Sequence, residues 1–109
     1  MKKTDYNLAV YCGARSGNDP LFTERARELG TLCAQNNIGV VYGGGRTGLM
    51  GTVAGATLDA GGVVYGVVTH KLVGLEGVYP GQTTLDIVDT MHQRKIGMIE
   101  KADAFVAMP

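Results

Sequence analysis

The sequence predicts an α/β domain built on a Rossmann-like, doubly wound parallel sheet, and three observations carry that prediction. Short apolar runs of strand length alternate with longer stretches of helical periodicity along almost the whole chain. The runs are apolar throughout rather than alternating, as strands covered on both faces are. A glycine-rich turn, Gly43-Gly44-Gly45-Arg46-Thr47-Gly48, joins one run to the following helix, the junction at which α/β proteins hold anions.

Each element has its own signal. Leu8 to Cys12 reads as the first strand, and Gly13 opens a turn through Gly17 and Asn18. Asp19-Pro20 looks like a helix N-cap followed by proline at the first helical position. Phe22, Ala26, Leu29 and Cys33 then form the stripe of an amphipathic helix that ends near Asn36-Asn37. Ile38 to Tyr42 is the second strand. Thr47 to Ala60 is the second helix, with Met50, Val53, Ala54 and Leu58 on one side and Gly61-Gly62 as its stop. Val63 to Val68 is the third strand. A loop holding His70, Glu76 and Pro80 leads to a fourth strand over Leu85 to Val88, a third helix over Met91 to Lys101 and a fifth strand over Ala104 to Met108. Right-handed crossovers give an expected strand order of 3-2-1-4-5, with ligands beyond the carboxyl ends at the switch between strands 1 and 4. No helix follows to cover the fifth strand, so the C-terminal part of the domain is expected to be missing, or a partner to cover that apolar surface.

Composition narrows the function classes. A chain of 109 residues makes one domain, here residues 1–109. Ten Lys and Arg balance ten Asp and Glu, which argues against nucleic-acid or membrane partners and makes any anion site local. Cys12 and Cys33 lack CxxC spacing and the N-terminus has no long apolar run, so a reducing cytoplasm is expected. Seventeen glycines accompany only three prolines, which fits turns better than disorder.

Gly43, Gly45 and Gly48 satisfy G-x-G-x-x-G literally. A dinucleotide site is disfavoured, because the fingerprint follows the second strand and the third ends in Val68-Thr69-His70 without an acidic residue. A Walker A loop fails because Leu49-Met50 stands where Lys-Ser/Thr is required. Gly43, Gly44 and Gly45 are candidates for close approach of a phosphate or ribose, whereas Gly51 and Gly55 read as packing positions.

Thr90 to Lys95 is a second constellation. Lys95 interrupts the apolar stripe of Met91, Met98, Ile99 and Ala102, and Arg94 and Lys95 stand in the first helical turns, where the macrodipole disfavours cations. An anionic ligand explains the placement; so do a snorkelling Lys95 and an Arg94–Asp89 pair. Glu76 is a candidate for hydrogen bonding a ribose hydroxyl or base. Arg15 and Ser16, after the first strand, can add charge and a hydroxyl. His70 and His92 lack metal-ligand spacing and Cys12 has no evident catalytic partner, so neither metal nor cofactor is expected.

Together these residues resemble the LONELY GUY family, cytokinin riboside 5′-monophosphate phosphoribohydrolases also described as possible lysine decarboxylases. Val10-Tyr11-Cys12-Gly13 with Ser16-Gly17-Asn18 resembles its first turn, Val41 to Gly51 its Y-G-G-G-x-x-G-L-M-G segment, and Met91 to Lys95 its M-H-x-R-K helix start. The resemblance implies hydrolysis of the N-glycosidic bond of a nucleoside 5′-monophosphate such as AMP, with Arg94 catalytic, Lys95 and Glu76 binding substrate, and a homodimer. It also implies a P-G-G-x-G-T-x-x-E motif beginning at Pro109, where the sequence ends. The alternative is a nucleotide-binding or carrier protein on the same scaffold, or an inactive fragment. Arg46, Thr47 and Thr69-His70 depart from the family pattern.

Overall fold

Val40, Val41, Val64, Val67 and Val68 are withdrawn from water, as β-branched side chains are in strands covered on both faces. A computed structural model of the chain describes residues 4, 6–11, 20–45, 48–76 and 81–107, the side chains of residues 75 and 76 excepted. These form β1 (Tyr6–Tyr11), α1 (Pro20–Gln35), β2 (Ile38–Tyr42), α2 (Gly48–Asp59), β3 (Val64–Thr69), α3 (His70–Glu76), β4 (Thr84–Val88), α4 (Met91–Lys101) and β5 (Ala104–Ala107).

Among the described residues the strands make one five-stranded parallel sheet in the order β4-β3-β2-β1-β5. Successive side chains of a strand point to opposite faces, so the central strands β1, β2 and β3 each serve two cores. Val10, Val40, Tyr42 and Val64 pack with α1 and α2 through Ala26, Cys33, Leu49, Met50, Val53 and Ala54. On the other face Ala9, Val41 and Val67 pack against Met98 of α4. The chain is thus of the expected doubly wound α/β class.

The position of the fourth strand corrects the expected order 3-2-1-4-5. β4 lies outside β3, and β5 takes the place beside β1, with Leu8 opposite Ala104 and Tyr11 opposite Ala107. Asp86 supplies a physical reason. It stands in mid-strand opposite Val67 and meets Lys101 of α4 at 2.9 Å, the two side chains remaining 48% and 31% exposed. Beside β1 the carboxylate would lie in the sheet centre, where desolvating an ion pair costs several kcal/mol, of order; an edge strand leaves it partly hydrated. The α4–β5 corner is tied to β1 instead, through Asp103 N donating to Asn7 O at 2.7 Å and Asn7 N donating to Asp103 Oδ2 at 2.8 Å.

The loop expected over His70 to Glu76 is the helix α3. Thr69 Oγ1 accepts from Leu72 N at 3.2 Å and caps its first turn. Helix and sheet thereby bring the ends of β2 and β3, the residues after Tyr42, and the start of α4 to one edge.

Candidate functional site at the carboxyl edge of the sheet

A capping box starts α4 at that edge. Thr90 Oγ1 accepts from Gln93 N at 3.1 Å, while Gln93 Oε1 accepts from Thr90 N at 3.1 Å and Asp89 N at 2.9 Å. The spacing Thr90-x-x-Gln93 is a start signal in its own right, which apolar periodicity alone passes over.

One turn further on, Arg94 reaches inward across the sheet. Its Nε donates to Val67 O and its Nη2 to Gly43 O, both at 3.0 Å. A Cβ on Gly43 would collide with Nη2, so the first glycine of the turn makes the seat of the guanidinium. The cation in the first turns of α4 therefore has two carbonyl oxygens as partners, one inside β3 and one just after β2. Asp89 faces His70 instead, with Oδ1 at 3.3 Å from Nε2. The helix is oriented by Arg94 and the buried Met98; Met91 and Ile99, expected in the apolar stripe, are 58% and 49% exposed.

The rest of the turn is gripped in the same manner. Gly44 has φ +84°, a left-handed conformation that glycine adopts without a Cβ penalty. Its carbonyl accepts from Gln82 Nε2 at 3.2 Å, and the carbonyl of Gly45 accepts from the Tyr42 hydroxyl at 2.9 Å. Three successive carbonyls thus each receive a side-chain donor.

Between this turn, the end of β1 and α4 lies a cleft of about 510 Å³. Val10, Tyr11, Met50 and Met98 provide its apolar wall, and His92, Arg94 and Lys95 its basic side, with Gly43 and Met91 between them. An apolar wall with a few convergent polar groups is the usual composition of a small-molecule site. Among the described residues no carboxylate lines it.

The structure therefore brings Arg94, Lys95 and Gly43 together. Gly44 and Gly45 stand beside the cleft in the turn, holding Gln82 and Tyr42 rather than lining it. Glu76 is the last residue of α3 and not a loop residue, and its side chain is not among those described. Ser16, with Arg15 and Cys12, lies outside the described residues. Gln82 has no motif to announce it; its one signal is Gly66, a glycine inside an otherwise β-branched and aromatic strand, against which its amide lies. Among the described residues no three His, Cys, Asp or Glu side chains cluster as a metal site would need, and no helix is long and apolar enough to cross a membrane.

Comparison with known proteins adds the following. Residues 50–109 match a family described as "Possible lysine decarboxylase". A cytokinin riboside 5′-monophosphate phosphoribohydrolase of Rhodococcoides fascians is 41% identical over 109 residues, covering 99% of this chain and 55% of that protein. An Arabidopsis thaliana protein of the same description is 39% identical over 102 residues, covering 94% of this chain and 48% of its own length. The chain thus spans about half the length of these curated relatives. The molybdenum cofactor carrier protein of Chlamydomonas reinhardtii superposes with a TM-score of 0.79 over 94% of this chain and 62% of its own, at 18% identity. The molybdenum cofactor binding protein of Rippkaea orientalis does so with 0.79 over 99% and 64%, at 17% identity. At such identities these two solved structures speak for the fold alone.

Proposed function

We infer, from the premise that this chain belongs to the possible lysine decarboxylase family in which the LONELY GUY phosphoribohydrolases fall, that its cleft binds a nucleoside 5′-monophosphate for N-glycosidic hydrolysis. The observation that carries the reading is the juxtaposition of Arg94 and Lys95 with the apolar wall of Val10, Tyr11, Met50 and Met98 beside the glycine turn. The cations suit a phosphoribosyl group, and the methionines and tyrosine suit the flat, weakly polar face of a base.

Cleavage of the bond between ribose and base builds positive charge on the sugar. A carboxylate stabilises such an oxocarbenium-like centre and directs water at it. In the family pattern that carboxylate is the glutamate of the P-G-G-x-G-T-x-x-E motif, of which this sequence holds only the position of the first residue, Pro109, and the resemblance gives Glu76 a substrate contact. In this proposal Arg94 orients the phosphoribosyl group, and its two hydrogen bonds to carbonyls support the reading because the side chain need not be ordered on binding. Products are the free base and ribose 5-phosphate. A homodimer in the cytoplasm is part of the same proposal.

A second reading rests on the same lining, since a basic side opposite an apolar wall can also hold a nucleotide without cleaving it. In that reading the chain binds a nucleotide and breaks no bond. Incubation of the intact protein with AMP and with N6-substituted AMP, followed by chromatography of base and ribose 5-phosphate, separates the two. Release of both products in equal amounts supports the hydrolase. Recovery of intact nucleotide from a saturated protein supports the carrier, and no binding of either compound overturns both.

A further inference from the structure

We propose that Gln82 is a positioning residue, the clamp that sets the peptide plane of Gly44 and so the shape of the glycine turn; its bearing on ligand binding rests on the function proposed above. Gln82 stands just before β4 at the far end of that strand from the cleft. Its side chain nevertheless runs along the sheet to the turn, where Nε2 donates to Gly44 O at 3.2 Å, 38 residues away in the chain. The path exists because residue 66 of β3 is glycine: a Cβ there would collide with Gln82 Oε1 and approach Gln82 Cδ to 2.9 Å.

The surroundings leave the amide little freedom. Leu85 Cδ1 would lie 3.1 Å from a Cβ on Gly66 and 3.5 Å from one on Gly44, so the same leucine fills the space on both sides. The segment carrying Gln82 is itself pinned to β3, with Thr83 N donating to Val64 O at 2.9 Å and Val64 N donating to Thr83 Oγ1 at 3.1 Å. Only the NH2 end of the amide can face a carbonyl, which fixes its orientation. Arg94 and Tyr42 hold Gly43 O and Gly45 O. Gln82 supplies the middle grip, at the one residue of the three with positive φ, where a peptide flip would reverse the direction in which the turn presents its N–H groups.

Gln82→Met tests this, because methionine has the same reach and lacks the donor. Amide exchange of Gly44 and Gly45 in the intact protein should rise about threefold to tenfold, with exchange in α1 and α2 unchanged, as expected for loss of one local hydrogen bond. AMP should bind about threefold to tenfold more weakly. Gln82→Glu, similar in shape, loses the amide donor and sets a carboxylate against a carbonyl, so it should lose at least as much as Gln82→Met, and Gly66→Ala should reproduce the defect without adding to it. Unchanged exchange at Gly44 and Gly45 in a folded Gln82→Met variant overturns the clamp. Faster exchange with unchanged AMP affinity overturns its role in ligand binding. If the wild-type protein neither binds nor cleaves AMP, the proposed function fails, and the exchange contrast still decides whether Gln82 holds the turn.

Discussion

Arg94 combines a structural and a chemical task, and the two leave different traces. Its two hydrogen bonds to Val67 O and Gly43 O join α4 to two strands. Arg94→Ala should therefore cost about 2–4 kcal/mol of stability, since charged, partly buried hydrogen bonds are lost and two carbonyls are left to find water. Base release from AMP should fall by about a hundredfold or more if the guanidinium also orients the phosphoribosyl group. Gly43→Ala should expel the same guanidinium and mimic the loss. The double variant should then be no less stable than the worse single one, as urea unfolding of all four proteins would show; additive losses would mean that the two residues act separately. Cys33 stands on the buried face of α1, 3% exposed, and burial pushes its thiol upward from the usual 9.0. The folded state keeps a proton that the unfolded chain releases, so stability is retained below that value and declines as pH rises beyond it. The stability advantage of the native protein over Cys33→Ala should shrink between pH 8 and pH 10, roughly the window set by that unfolded value. A difference independent of pH would show that the thiol titrates alike in both states.

At the scale of elements, the start of α4 fixes where Arg94 and Lys95 stand. Thr90→Ala removes one half of the capping box and should destabilise the protein by about 1 kcal/mol, with AMP binding weakened in step if fraying disorders Arg94. Equal urea midpoints for the two proteins would refute the cap's contribution. Elements with strong periodicity or clear stop signals were legible in the sequence: α1 begins at Pro20 as proline predicts, and α4 spans Met91–Lys101 as expected. The short α3 was not, because seven residues with Gly74 inside carry too little periodicity to distinguish helix from loop. The place of β4 differs from the expected order because crossover rules alone leave it open; the half-exposed Asp86 in mid-strand is the residue that suits the rim. Within the site, the cations and Gly43 could be read from their oddity in pattern. The carbonyl partners of Arg94 and the reach of Gln82 could not, since both depend on contacts between residues 27 to 51 positions apart.

For the molecule as a whole, the absence of net charge sharpens what ligand binding should look like. With no net charge to gather anions, attraction among the described lining residues comes from Arg94 and Lys95, and the exposed Lys95 in particular is screened by salt. AMP and ribose 5-phosphate should therefore both raise the melting temperature, adenosine and adenine should do so less, and sodium chloride should reduce the phosphate-dependent part. A ligand at a hundred times its dissociation constant stabilises by about 2.7 kcal/mol, which for a domain of this size corresponds to roughly 10 °C or more. Equal shifts from AMP and adenosine would remove the basic side of the cleft from phosphate recognition and leave only its apolar wall. A shift from AMP that decays during incubation, towards the value for ribose 5-phosphate, would report turnover in the same tube. A shift that persists with the nucleotide recovered intact would favour the carrier, because the scaffold then holds the ligand without supplying the carboxylate that bond cleavage demands.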